Sequence, residues 1–180
     1  MVSSRRGFLS GVATGALAGT AGCGRPTSSW RFFTTQEAVT VEALCAQIIP
    51  EDQDPGAIKA GVVHFIDTQL TRFYKPLQEA YRKGIAQIDR ESLDFAGRKF
   101  ADLPHGAQLA LLGRIEKNPE LRPFFNLLIA HAMQGFYGDP RHGGNRDRVS
   151  WKMVGLPYPP LRGRLRYDLT DSAKGERPWL

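Results

Sequence analysis

The sequence predicts an all-α protein: a small bundle of about five helices, followed by a long ordered Gly-rich loop and an extended C-terminal segment. Two observations carry this. Apolar residues recur at three- and four-residue spacing in one window after another, and no window shows the strict alternation or β-branched run of a strand. From Gly135 onward that helical periodicity stops. The composition agrees with a globular chain, since 42% of the 180 residues are hydrophobic and 23% charged. Two cysteines, Cys23 and Cys45, exclude a disulfide framework or a four-cysteine zinc site. Without the first two dozen residues, about 155 remain, enough for one domain that buries roughly 70% of its unfolded surface.

Each element has its own local reason. Thr34 and Glu37 have the spacing of a capping box, so a helix starts there. Val41, Leu44, Cys45 and Ile48 form its apolar face, and Pro50 ends it. Cys45 on that face reads as a small buried hydrophobe. Asp54-Pro55 reads as the cap and first residue of a second helix, with Val62, Phe65, Ile66, Leu70 and Phe73 on one side. A third runs from about Leu77 through Tyr81, Ile85 and Ile88. Phe100, Leu103 and Pro104 introduce a fourth, with Leu109, Leu112 and Ile115 inward. A fifth, from about Leu121 to Gln134, carries Phe124, Phe125, Leu127, Leu128 and Met133, and its nearly continuous apolar character makes it the central helix.

From Gly135 the chain reads Gly-Phe-Tyr-Gly-Asp-Pro-Arg-His-Gly-Gly-Asn, a composition from which no regular element is expected. Structureless stretches of this length are functional or disordered, and Phe136, Tyr137, Trp151 and Tyr158 argue against disorder. The expectation is an ordered loop wrapped on something. Between Arg141 and Arg166 seven Arg or Lys residues face one acid, Asp147, so much of the formal charge of +6 sits here. That points to an acidic protein surface or anionic headgroups as the counterpart. Export argues against nucleic acid.

The export reading comes from the N-terminus. Paired Arg5 and Arg6 precede Phe8 and Leu9, and an uncharged Gly/Ala-rich run follows, the order of a twin-arginine signal spanning residues 1–23. The run is too glycine-rich for a transmembrane span of about 20 strongly apolar residues. Thr20-Ala21-Gly22-Cys23 matches a lipobox at three of four positions, departing at Thr20, which makes Cys23 a candidate for lipidation. The expected location is therefore the periplasm, peripheral to the cytoplasmic membrane.

No chemistry stands out. His64, His105, His131 and His142 include no pair at metal-ligand spacing, although His64 and Asp67 share a helix face. No strand precedes the glycines and no GK[ST] follows them, so a phosphate cradle is not indicated. Asp139, Arg141 and His142 are the one acid–base grouping available to an autonomous periplasmic enzyme. A basic membrane-surface lipoprotein is a further alternative.

The stretch 135–140 with His142, Gly143, Gly144 and Asn145, then Trp151, Gly155 and Pro157, resembles the gluconate 2-dehydrogenase subunit 3 family. The similarity runs from about residue 32 to 160, and includes Phe33 and Glu37, Ile48-Ile49-Pro50, Leu103-Pro104 and the leader. It implies a helical domain over 30–160, with a basic tail over 161–180 that the resemblance does not reach. It further implies a non-catalytic small, or gamma, subunit of a membrane-bound FAD-dependent sugar or polyol dehydrogenase. In such complexes a glucose-methanol-choline type flavoprotein holds FAD, and a multihaem cytochrome c subunit carries haem c and passes electrons on. The small subunit acts as folding chaperone and twin-arginine export escort. No catalytic residue, cofactor or metal is then expected in this chain. Phe136, Tyr137, Asp139, Arg141, His142, Asn145 and Trp151 are the expected partner-contacting or loop-shaping residues.

Overall fold

The computed structural model describes residues 29–156. The leader with Arg5, Arg6 and Cys23, Tyr158, and the segment from 161 lie outside the described residues. Among the described residues six α-helices follow one another: α1 (Thr35–Ile48), α2 (Val62–Leu70), α3 (Gln78–Ala96), α4 (His105–Ile115), α5 (Arg122–Tyr137) and α6 (Val149–Met153). Four 3-10 turns join them, at Lys75–Leu77, Phe100–Asp102, Pro140–His142 and Arg146–Arg148. No strand occurs among the described residues. The all-α class and the five long helices agree with the sequence pattern.

Helix α1 starts as its capping box dictates. The Glu37 N–H donates to Thr34 Oγ1 at 3.2 Å, and the Thr34 N–H donates to Glu37 Oε2 at 2.8 Å. Glu37 also pairs with Arg82 of α3, whose guanidinium donates to the Phe32 carbonyl at 2.8 Å and lies 4.2 Å over the Phe32 ring. Helix α5 packs on α1, α2 and α3, which is the central position its apolar sequence predicts. Close packing there requires glycine: a Cβ at Gly84 would stand 2.2 Å from the Phe124 ring. Cys45 is buried at 1% exposure, and burial pushes its thiol up to about 12, so it is an inert core group.

Three expectations fail for identifiable reasons. The second helix begins at Val62 behind a left-handed Gly61, not at Asp54-Pro55. The Ala57 N–H bonds back to the Ile49 carbonyl at 2.9 Å, folding residues 50–60 onto the end of α1 before helix can start. This helix also ends at Leu70, so Phe73 is 84% exposed and Tyr74 takes the inward place. In α4 the inward line is Gln108, Leu111, Leu112 and Ile115, which leaves Leu109 57% exposed. Gln108 tolerates burial because its amide donates to the Phe100 carbonyl at 3.0 Å and accepts from Gln47 at 2.6 Å. Met133 is likewise exposed.

The core contains one histidine. His131 of α5, 4% exposed, lies parallel to Tyr74 with ring centroids 3.9 Å apart, and its Nδ1 shares a 2.8 Å hydrogen bond with the Tyr81 hydroxyl. The Tyr74 hydroxyl in turn donates to Gln134. Burial lowers the His131 pKa to about 4 from 6.5, so the ring is neutral in the folded protein.

Between pH 6.5 and about 4 the unfolded chain takes up a proton that folded His131 refuses. Stability attributable to this ring is thus complete above pH 6.5 and is lost on acidification, by about 3 kcal/mol in the limit. Urea midpoints at pH 7 and pH 4.5 should differ more for the native sequence than for His131→Phe; equal differences would remove the histidine from the account.

Candidate functional site: the loop sealed onto the end of α5

The last carbonyls of any helix lack intrahelical partners. In α5 every one of them is met by the segment that follows. Gln134 O accepts from the Gly138 N–H at 2.8 Å, and Gly135 O from the Asn145 N–H at 2.8 Å. Phe136 O accepts from Ser150 Oγ at 2.6 Å, Tyr137 O from Trp151 Nε1 at 2.8 Å, and Gly138 O from Asn145 Nδ2 at 2.9 Å. Five successive carbonyls are satisfied by groups up to fourteen residues away.

Asn145 organises this seal. It is fully buried and sits in the left-handed region at φ 44°, which Asn tolerates better than most residues. Besides its two donations, its Oδ1 accepts from the Ser150 N–H at 3.1 Å and its carbonyl from the Arg148 N–H at 2.8 Å. Gly144 makes the approach sterically feasible, because a Cβ there would stand 2.2 Å from Gly135 O. The loop is also fastened to α2 and to the turn before it: Gln69 Nε2 donates to the His142 carbonyl at 3.3 Å, and the Arg146 N–H donates to Ala60 O at 2.9 Å.

The seven residues singled out in the sequence divide into two sets. Phe136, Asp139, Asn145 and Trp151 are buried and shape the loop from within, whereas Tyr137, Arg141 and His142 are exposed. Asp139 caps the turn at Pro140–His142 by accepting from the Arg141 N–H at 2.9 Å, and it also accepts from Arg141 Nε at 3.2 Å. Asp139 is therefore engaged in the turn with Arg141, while the His142 side chain is exposed. The loop is more regular than its composition indicates: its first three residues are the last of α5, and it holds two 3-10 turns and leads into α6.

Several contributing residues were not identified from sequence. Ser150 and Gly144 act through partners remote in the chain. Asp67, 3% exposed, accepts from the N–H groups of Arg31, Phe32 and Phe33 at 2.8, 2.9 and 3.0 Å, clasping the segment before α1 to α2. An acid on a buried apolar helix face was the available signal. His64, though one turn away, is exposed and stacks on Trp30 instead.

Elsewhere, an open groove of about 560 Å³ lies between the end of α1, α4 and α5, lined by Ile48, Leu109, Leu112, Phe125, Ile129 and Met133. Glu116 is the one titratable side chain lining it. Among the described residues no three His, Cys, Asp or Glu side chains are grouped to hold a metal ion, and no helix is long and apolar enough to cross a membrane.

The architecture defines a small all-α module whose ordered loop presents a shaped surface. The chain belongs to the gluconate 2-dehydrogenase subunit 3 family, whose model matches residues 35–157, from the first residue of α1 through the sealed loop. No curated protein and no solved structure matches the chain significantly.

Asn145→Ala removes two side-chain bonds and puts a Cβ residue without a polar group at positive φ; a loss of about 2–4 kcal/mol follows. Trypsin should then cut at Arg146 and Arg148 well before the α3–α4 region opens. Gly144→Ala should do the same through the clash with Gly135 O. Cleavage no faster than in the native sequence would show that the seal does not hold the loop.

Proposed function

We propose that this chain is the non-catalytic small subunit of a periplasmic FAD-dependent sugar or polyol dehydrogenase. It docks on a glucose-methanol-choline type flavoprotein and serves as that subunit's folding chaperone and twin-arginine export escort. FAD belongs to the flavoprotein, and haem c to a multihaem cytochrome subunit of the same complex. The observation that carries this reading is the family match, which includes the loop as well as the helices. Family membership makes the chain one subunit of a dehydrogenase assembly.

An ordered loop held by side chains directed inward leaves its outer residues, Tyr137, Arg141 and His142, on a fixed scaffold. Preorganised loops lose little entropy on association, so such a surface favours binding. The twin-arginine route transports folded proteins, which fits a partner that must take up its flavin before it crosses the membrane. The complex then lies peripheral to the membrane, attached through the cytochrome subunit or a lipidated Cys23.

Co-expression of the full chain with a flavoprotein encoded beside it should give a stable FAD-containing complex. A flavoprotein that folds, loads FAD and reaches the periplasm equally well without this chain would contradict the escort role. Replacing Arg5 and Arg6 by Lys should leave both subunits in the cytoplasm, as followed by fractionation; continued export of the flavoprotein would separate docking from escort.

A further inference from the structure

Groups from three distant parts of the chain meet at the N-terminal end of α2. Trp30, from the segment before α1, stacks on His64 with ring centroids 4.6 Å apart and 23° between planes. Arg146, from the loop, is anchored to Ala60 through its main-chain N–H at 2.9 Å. Its guanidinium lies against Gly61, where a Cβ would stand 3.2 Å from it and where φ is +68°. His64 and Arg146 are exposed, and Trp30 is half-buried. Burial first, and the nearby Arg146 charge second, hold the His64 pKa below 6.5, with Glu42 and Asp67 acting the other way.

The position of Arg146 is imposed by its surroundings. Asn145, Asp147 and Arg148 around it have φ of 44°, 55° and 59°, and left-handed backbone costs about 1–2 kcal/mol per non-glycine residue. The main chain at 146 is thus fixed from both sides and by its bond to Ala60. Exposed cations adjoin the corner in sequence, Arg31 next to Trp30 and Lys59 next to Ala60, whereas Asp67 is buried with its oxygens accepting three amides. Glu42 is half-buried and Asp147 is the exposed acid of the loop. Anionic lipid surfaces are read by clusters of roughly four to eight Lys or Arg. Here one guanidinium, on a main chain anchored to Ala60, stands beside a stacked aromatic pair, the composition that protein interfaces concentrate at their centres.

We propose that the Trp30–His64–Arg146 corner is the recognition centre of the docking face, and that it receives an acidic surface segment of the partner subunit. A partner carboxylate forms a fork-like pair with Arg146, and apolar atoms beside it cover the Trp30–His64 stack. This rests on the accessory-subunit reading above, and it moves the centre of the interface from the outer loop residues to the junction of loop, α2 and N-terminal segment. The sealed loop then serves to place Arg146.

The test uses the full chain, tagged and co-expressed with the flavoprotein. Arg146→Glu should lower recovery of the flavoprotein at least tenfold at about 0.15 M salt, Arg146→Lys should lower it less, and His64→Ala should lower it severalfold. Arg146 contributes its main-chain N–H to the fold in every variant, and His64 is exposed; an unchanged melting temperature checks that the domain remains intact. Undiminished recovery with both Arg146→Glu and His64→Ala would overturn the corner while leaving the subunit reading in place. Failure of the native chain to recover any flavoprotein would overturn the subunit reading itself, and the corner with it. Loss of binding to anionic vesicles in place of loss of flavoprotein would assign the corner to lipid and also overturn the proposal.

Discussion

The structure depends on one constraint: the carbonyls at the end of the central helix must find donors, and the chain that follows supplies them. Helix α5 ends inside the molecule's packing, where unpaired carbonyls would cost about 1–3 kcal/mol each. Asn145, Ser150 and Trp151 close Gly135 O, Phe136 O, Tyr137 O and Gly138 O. Satisfying the helix end and folding the loop are therefore the same event. The glycines follow from this geometry, since Gly144 lies against Gly135 O where a Cβ has no room.

The same loop ties together parts of the chain that lie far apart in sequence. It bonds to α2 through Gln69 and to the turn before α2 through Ala60. Helix α2 in turn holds the segment before α1 through Asp67. The result is a continuous surface from Trp30 through His64 to Arg146, built on one short helix. The chain is a member of a dehydrogenase-subunit family, and this surface is of fixed shape.

Much of the fold was legible because it rests on local rules. The Thr34–Glu37 capping box, the helical spacing from Val41 to Ile48, and the apolar run of α5 each act within a few residues. The boundaries of α2 were not legible, because the bond from Ala57 to Ile49 O that delays it is tertiary. Leu109 misled for a related reason: on α4 a glutamine with two internal partners occupies an inward place that hydropathy assigns to leucine. At the site, the glycine-rich stretch, Asn145 and Trp151 were legible as a special segment. Their division into buried and exposed sets was not, since it depends on carbonyls of α5 up to fourteen residues away. His131 was visible as a residue but not as a neutral core group between two tyrosines.

The seal makes the loop part of the folded domain by itself. Native-state hydrogen exchange on the isolated chain measures this directly, residue by residue. The amides of Asn145, Arg146, Arg148 and Ser150 should exchange as slowly as those in the last turn of α5, with opening free energies well above those of a frayed end. Exchange at these four amides near the rate of an unstructured peptide, while α5 stays protected, would show that the loop is ordered by something other than this chain and would contradict the account.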